Sequence, residues 1–221
     1  MKRVLLIGNS GGIGKALEQA FKERGDNVTG LSRSADGFDI TDELAVDQGL
    51  RALEGSFDIV FVATGALTTA DSRPEKSLSQ LSLKAMSEQF LLNAAGPALV
   101  LKHSKKLLRK DAPATFATLS ARVGSIGDNR LGGWYSYRAA KAALNQIIHT
   151  TSIELSRSHP QSICVALHPG TVKTDLTEKY VGSHPAVTPD KAANHLLSVL
   201  ETLSPAQTGL FFDWAGKLVE W

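Results

Sequence analysis

The 221-residue sequence has a single cysteine, Cys164, so no disulfide can form within the chain. Its apolar neighbours Ile163 and Val165 place the thiol in a strand, as a small inert hydrophobe. No stretch approaches the roughly 20 apolar residues that a helix needs to cross a bilayer. Met1-Lys2-Arg3 followed by Val4 to Ile7 is too short an apolar run for a leader peptide and ends in glycines. Charge of one sign is lacking as well: 24 basic and 22 acidic residues leave a formal net charge of +2, too weak a field to imply a nucleic-acid or membrane partner. The one basic run, Lys102, Lys105, Lys106, Arg109 and Lys110, follows helical spacing and reads as a solvated helix face. The six histidines show no metal-ligand spacing, and no metal site is expected. Repeats, low-complexity tracts and linkers are missing too. These absences point to one domain over residues 1–221, cytoplasmic, in a reducing compartment.

What is present is an alternation of apolar runs. Val4 to Ile7 reads as a strand closed by glycines, and Ile13 to Arg24 as a helix with Ala16, Leu17, Ala20 and Phe21 on one face. The same pattern predicts strands at Asn27 to Leu31, Asp58 to Ala63, Ala114 to Leu119, Ile163 to Leu167 and Gly209 to Phe212. It predicts helices at Glu43 to Leu53, Leu81 to Leu108 (one or two), Trp134 to Arg157 and Thr188 to Leu200, the last opened by Thr188 as cap and Pro189 at the first position. Strands separated by helices imply right-handed crossovers, hence an α/β doubly wound Rossmann fold: a parallel sheet with helices on both faces.

Between the first strand and helix lies Gly8-Asn9-Ser10-Gly11-Gly12-Ile13-Gly14, where backbone amides and the helix dipole can receive a pyrophosphate. A plain turn fits the loop equally well. A magnesium-binding P-loop does not, because Asn9 stands where its first glycine belongs and Ala16 replaces its Ser or Thr. At the end of the second strand, Ser32-Arg33-Ser34 offers a guanidinium and hydroxyls where an NAD enzyme would usually carry a carboxylate. That favours a 2′-phosphate and NADP(H), with NAD(H) and a merely solvated arginine as the alternatives.

Tyr137 and Lys141 stand four apart at the start of a predicted helix, so both reach one ligand. A tyrosine with a reference pKa of about 10 is a poor acid or base near neutrality. An ammonium about 5 Å away contributes roughly 3 kcal/mol at an effective dielectric near 20, or about two pKa units, which brings the phenol toward the range of general acid–base catalysis. Trp134 and Tyr135 beside the pair fit either a pocket wall or core and subunit packing.

Taken in order, these residues resemble the short-chain dehydrogenase/reductase family over nearly the whole chain. Gly8, Ser10, Gly12, Ile13 and Gly14 resemble its phosphate loop, Asp39-Ile40 its adenine contact and Ala63-Thr64-Gly65 its Asn-Asn-Ala-Gly-like motif. Asn93 matches its structural and proton-relay asparagine, Tyr137-Arg138-Ala139-Ala140-Lys141 its active-site motif, and Pro169-Gly170-Thr171-Val172-Lys173-Thr174 its nicotinamide-side loop. Within the family, Gly124-Ser125-Ile126 and Gly132-Gly133-Trp134-Tyr135-Ser136-Tyr137-Arg138 are similar to the subgroup of C-factor and sniffer-type carbonyl reductases.

The resemblance implies a sheet of about seven strands, proton transfer at Tyr137, hydride transfer between nicotinamide and a small carbonyl or alcohol substrate, a lid over 171–189, and a homodimer or homotetramer built on the helices at Leu81 to Leu108 and Trp134 to Arg157. It also implies that Lys141 binds the nicotinamide ribose and that Asn93 holds a water. One departure bears on the chemistry: Ala121 occupies the place of the family's catalytic serine, with Ser120 one residue early. A one-residue shift in a strand reverses a side chain's face, so Ser120 replaces that serine only if the strand end is irregular; Ser125 and Thr118 are weaker substitutes. A protein that binds the dinucleotide as a sensor or signalling molecule, with little chemistry, is the alternative function.

Overall fold

Four runs form the middle of a parallel sheet, three of them rich in branched apolar residues, β1 (Arg3–Ile7), β3 (Ile59–Val62) and β5 (Ser162–His168), and one, β4 (Ala114–Leu119), of alanine, threonine, phenylalanine and leucine. They are buried almost throughout, as strands covered by helices on both faces must be. With β2 (Asn27–Leu31) and β6 (Phe211–Asp213) at the edges, the order is β2-β1-β3-β4-β5-β6. The computed structural model of the chain describes residues 1–69, 73–174, 177 and 186–221.

Successive residues of β1 point to opposite faces. Leu5 and Ile7 pack with Val46, Val100 and Leu144 from α3 (Glu43–Arg51), α5 (Gly96–Ser104) and α6 (Tyr135–Ser158). Val4 and Leu6 pack with Leu17, Phe21 and Leu196 from α1 (Gly12–Glu23) and α7 (Pro189–Thr202). Cys164 lies in the first of these layers, where burial pushes its thiol up to about 12. Thr188 caps α7 by accepting from the Lys191 amide at 3.3 Å.

Among the described residues the sheet has six strands, where about seven were expected. Beyond β2 the chain turns at once into α2 (Arg33–Asp36), a short helix absent from the sequence reading, and then passes Gly37 with φ 66. Asp39 next accepts from the Thr41 amide and hydroxyl at 2.9 and 2.7 Å, folding the segment into a turn. Among the described residues nothing pairs with the outer edge of β2. The last strand also begins two residues later than expected, at Phe211.

The helical stretch expected from Leu81 to Leu108 is interrupted. It runs as α4 (Leu83–Phe90), a π-helical turn at Leu91–Ala95, and α5. Pro97 is the reason: it has no amide hydrogen for the Asn93 carbonyl, and its ring would collide with that carbonyl in a regular helix. The wider π turn relieves the clash and leaves Asn93 fully buried beneath the strand ends. Among the described residues no helix is long and apolar enough to cross a membrane.

Candidate active site

A doubly wound sheet exposes its loops at the carboxyl ends of its strands, and ligands bind in the crevice there. Two cavities occupy that crevice, of about 560 Å³ and about 290 Å³, with Ser10, Gly11, Ala63, Thr64 and Gly65 lining both. The smaller adds Gly8, Ser32, Arg33, Asp39 and Ile40; the larger adds Gly12, Ile13, Tyr137, Lys141, Pro169, Gly170, Val172 and Thr174. The fold thus brings the expected residues to one elongated groove. Gly14 and Asn93 stand behind its wall.

The glycine loop is shaped by close approach. A Cβ at Gly14 would sit 2.0 Å from the Gly8 carbonyl oxygen, so only glycine lets α1 begin against the end of β1. Thr174 leans over the same loop from the far side, since a Cβ on Gly12 would meet its Cγ2 at 2.8 Å. Val172 and Val187 form an isolated parallel bridge, and the Lys173 amide donates to the Val187 carbonyl at 2.9 Å. Of the lid expected over 171–189, residues 175–176 and 178–185 lie outside the described residues.

At the reactive end, Lys141 is 2% exposed and donates to the Leu119 carbonyl at 2.9 Å. Its ammonium lies 5.8 Å from the centroid of the Tyr137 ring. Burial drives both groups toward their uncharged forms: it pulls Lys141 down to about 7 and pushes the Tyr137 phenol up. The lowering of the phenol pKa expected from the ammonium is therefore opposed by desolvation.

Asn93 pins the opposite wall. Its amide oxygen accepts from the Ala66 amide at 3.1 Å, and its nitrogen donates to the Ala66 carbonyl at 2.9 Å and to Gln89 at 2.7 Å. Gln89, buried one turn earlier, donates onward to the Leu67 carbonyl at 3.0 Å. Gly65 is squeezed between these partners: a Cβ there would lie 2.9 Å from the Asn93 oxygen and 3.2 Å from the Lys141 nitrogen.

Ser120 lines the larger cavity, but its hydroxyl donates to Asn145 of α6 at 2.6 Å. Ser125 is buried and accepts from the Asp128 amide at 3.0 Å, and the buried Thr118 hydroxyl has no hydrogen-bond partner among the described residues. Ala121 also borders the cavity and brings no donor.

His168, at the end of β5, is a cavity residue that sequence reasoning passed over. Desolvation, then the nearby Arg122, lowers its pKa to about 4, against the pull of Asp213. A base with a folded pKa below its unfolded value of about 6.5 favours the unfolded chain when protonated. Its contribution is complete above pH 6.5 and is lost as pH falls from there toward 4. At about 1.4 kcal/mol per unit, the loss reaches at most roughly 3 kcal/mol. Melting curves from pH 8 to 4 should show this decline and a flatter one for His168→Asn; equal slopes would exclude His168 as the source.

At the other end, Arg33 opens α2 on the rim of the smaller cavity. Asp36, which the sequence gave no reason to single out, takes the Ser32 amide at 2.8 Å and its hydroxyl at 3.3 Å. The Ser32 donors are thereby engaged, and Arg33 is left as the charged group available to an anion. Asp39 has its carboxyl pKa lowered chiefly by the Thr41 amide, which fixes the turn beside the smaller cavity.

A parallel doubly wound sheet, a glycine turn at its first crossover and Tyr137 at the cavity wall beside the buried Lys141 define a dinucleotide-binding oxidoreductase class. The family model described as enoyl-(acyl carrier protein) reductase matches residues 32–212. The chain is 30% identical over 236 residues to 1-hydroxy-2-glutathionyl-2-methyl-3-butene dehydrogenase of Rhodococcus sp. (strain AD45), covering 100% of both. It is 35% identical over 147 residues to the C-signal protein of Myxococcus xanthus, covering 66% of this chain and 84% of that one. The crystal structure of an NADPH-bound carbonyl reductase from chicken fatty liver superposes with a TM-score of 0.77 at 25% identity, covering 99% of this chain and 98% of that one. The chain belongs to the short-chain dehydrogenase/reductase family.

Proposed function

We propose that the protein is an NADP(H)-dependent oxidoreductase interconverting a small carbonyl compound and its alcohol, with Tyr137 as the proton-transferring group. The observation that carries this reading is the Tyr137–Lys141 pair in the wall of a cavity continuous with the glycine-loop groove. Two features suit the groove to the cofactor: Gly11 and Gly12 line it without side chains, the Gly11 amide being held by the Gly8 carbonyl at 3.2 Å, and the buried Thr64 hydroxyl has no partner among the described residues. Similarity to an NADPH-bound carbonyl reductase supports the same choice.

Bound there, the dinucleotide would supply or accept hydride at the substrate carbon. The chain's own residues do the rest. The Tyr137 phenol, its pKa pushed up by desolvation, donates to the carbonyl oxygen and releases its proton as that oxygen becomes an alkoxide. Lys141 is fixed by Leu119 so that its charge, when present, stabilises the phenolate left behind. In the resemblance it also holds the nicotinamide ribose. Asn93 keeps the Gly65–Leu67 wall rigid through its paired bonds to Ala66, with its family role as a water holder added to that.

Calorimetric titration with NADPH and NADH, followed by NADPH oxidation against aldehydes, ketones and diketones, tests this reading. Binding with turnover supports it. Tight binding without turnover supports the second reading, a dinucleotide-binding signalling protein. Ala121, the commitment of Ser120 to Asn145 and the similarity to C-signal favour that second reading. No binding of either cofactor overturns both.

Arg33→Ala should weaken NADPH by about 10- to 100-fold, as expected for loss of a charge-assisted contact of 1.5–3 kcal/mol, and leave NADH within about twofold. Equal weakening of both would place 2′-phosphate recognition elsewhere. Leu83, Met86, Phe90 and Leu91 expose an apolar face along α4 and the π turn, which accords with a homodimer or homotetramer formed through α4 and α6. Sedimentation at micromolar concentration is expected to show that oligomer; a monodisperse monomer would refute it.

A further inference from the structure

The helix that carries the reacting phenol has no capping side chain of its own. Trp134 stands at its N-cap with φ 52 and ψ 42 and makes no side-chain cap bond, although a helix start leaves its first amide hydrogens without internal partners. The missing acceptor comes from 61 residues away. The Glu75 carboxylate accepts from the Ser136 hydroxyl and, at 3.3 Å, from the Ser136 amide, while the Glu75 main-chain carbonyl accepts from the Trp134 amide at 2.5 Å. Glu75 is 4% exposed and Ser136 is 2% exposed, so water does not compete for these bonds.

The grip falls on both residues that frame Tyr137. Ser136 precedes it in the chain, and the Trp134 indole meets its ring edge-on with centroids 6.4 Å apart. A negative group at a helix N-terminus is also favoured by the helix dipole. A buried carboxylate that served stability alone could sit at any helix; this one holds the single turn whose orientation sets where the phenol lies relative to Lys141.

We infer that Glu75 is a positioning residue for the reaction: it acts through Ser136 and Trp134 to fix the first turn of α6 and hence the Tyr137 phenol. This rests on the oxidoreductase reading above. A displacement of about 1 Å at a reacting group can cost about a hundredfold in rate, so the effect should appear in kcat more than in cofactor binding.

The test compares Glu75→Ala, Glu75→Gln and Ser136→Ala with the parent protein. Three quantities are measured: kcat for carbonyl reduction, NADPH affinity by calorimetry, and amide hydrogen exchange over residues 135–141, with circular dichroism to confirm folding. Glu75→Ala should lower kcat at least about tenfold, leave the NADPH Kd within about threefold, and speed exchange in the first turn about tenfold or more. Glu75→Gln, which keeps an acceptor oxygen, should stay within about threefold of the parent in all three. A Glu75→Ala variant with more than half the parental kcat, or equal losses in the Ala and Gln variants, overturns the role.

If Glu75→Ala does not fold, Ser136→Ala decides, because it deletes one hydroxyl: a several-fold fall in kcat at constant Kd supports the inference, and an unchanged kcat overturns it. If the parent protein turns over no carbonyl compound, the oxidoreductase reading has failed. Hydrogen exchange then judges Glu75 alone: faster exchange in the Ala but not the Gln variant upholds it, and equal rates overturn it.

Discussion

Tyr137→Phe is expected to lower kcat by about a thousandfold, within the range that a positioned acid or base contributes, while NADPH affinity changes by less than about twofold. The substitution deletes one oxygen and keeps the ring, so the edge-on contact with Trp134 and the packing of the first turn of α6 remain. It removes a phenol that has no rival donor among its described neighbours: Lys141 is drawn down to about 7 and spends a hydrogen on Leu119, Ser120 gives its hydroxyl to Asn145, and Ala121 has none. Single-turnover oxidation of NADPH reads the chemical step, and calorimetry reads binding. Retention of more than a tenth of the parental rate would remove Tyr137 from the proton path.

Gly14→Ala is expected to have the largest effect on the cofactor groove itself. The new methyl would lie 2.0 Å from the Gly8 oxygen, 2.9 Å from the Gly8 carbonyl carbon and 3.0 Å from the Asn9 Cα, all backbone atoms that no rotamer change can move aside. The start of α1 must shift away from β1, which should cost about 3 kcal/mol of stability and at least about a hundredfold in NADPH affinity, since the amides aimed at the pyrophosphate move with it. Gly25→Ala is the control. Its Cβ meets nothing within 4 Å, and only its φ of +80 opposes the change, so a loss of about 1 kcal/mol with unaltered NADPH binding is expected. Urea denaturation and calorimetry distinguish the two. Parental affinity in Gly14→Ala would show that the loop does not hold the phosphates.

The sequence by itself determined the features that depend on neighbours along the chain. The short runs at Val4 to Ile7, Asp58 to Ala63, Ala114 to Leu119 and Ile163 to Leu167 read as strands, and β1, β3, β4 and β5 form there. Thr188 and Pro189 marked the start of α7 to the residue, and the four-residue spacing of Tyr137 and Lys141 placed both side chains on one side of α6. The glycine loop fell between a strand and a helix, where the fold puts its groove. All of these follow from hydrogen bonds and side-chain periods that repeat within about four residues, so they are readable from a short window.

Only the tertiary structure decided the rest. Arg33 falls in a helix of four residues, too short to show a period, and the turn beyond it is set by the bonds of Asp39 to Thr41. Pro97 was visible in the sequence, but its consequence, the π turn that sinks Asn93 against Ala66, depends on where that turn packs. Glu75 and Ser136, Lys141 and Leu119, and Ser120 and Asn145 are 61, 22 and 25 residues apart, and nothing local pairs them. The sign of the pKa shift at Tyr137 was settled the same way. A charge four residues along the helix is a local fact that predicts lowering, whereas the desolvation that raises it comes from segments distant in sequence that pack around the half-buried tyrosine.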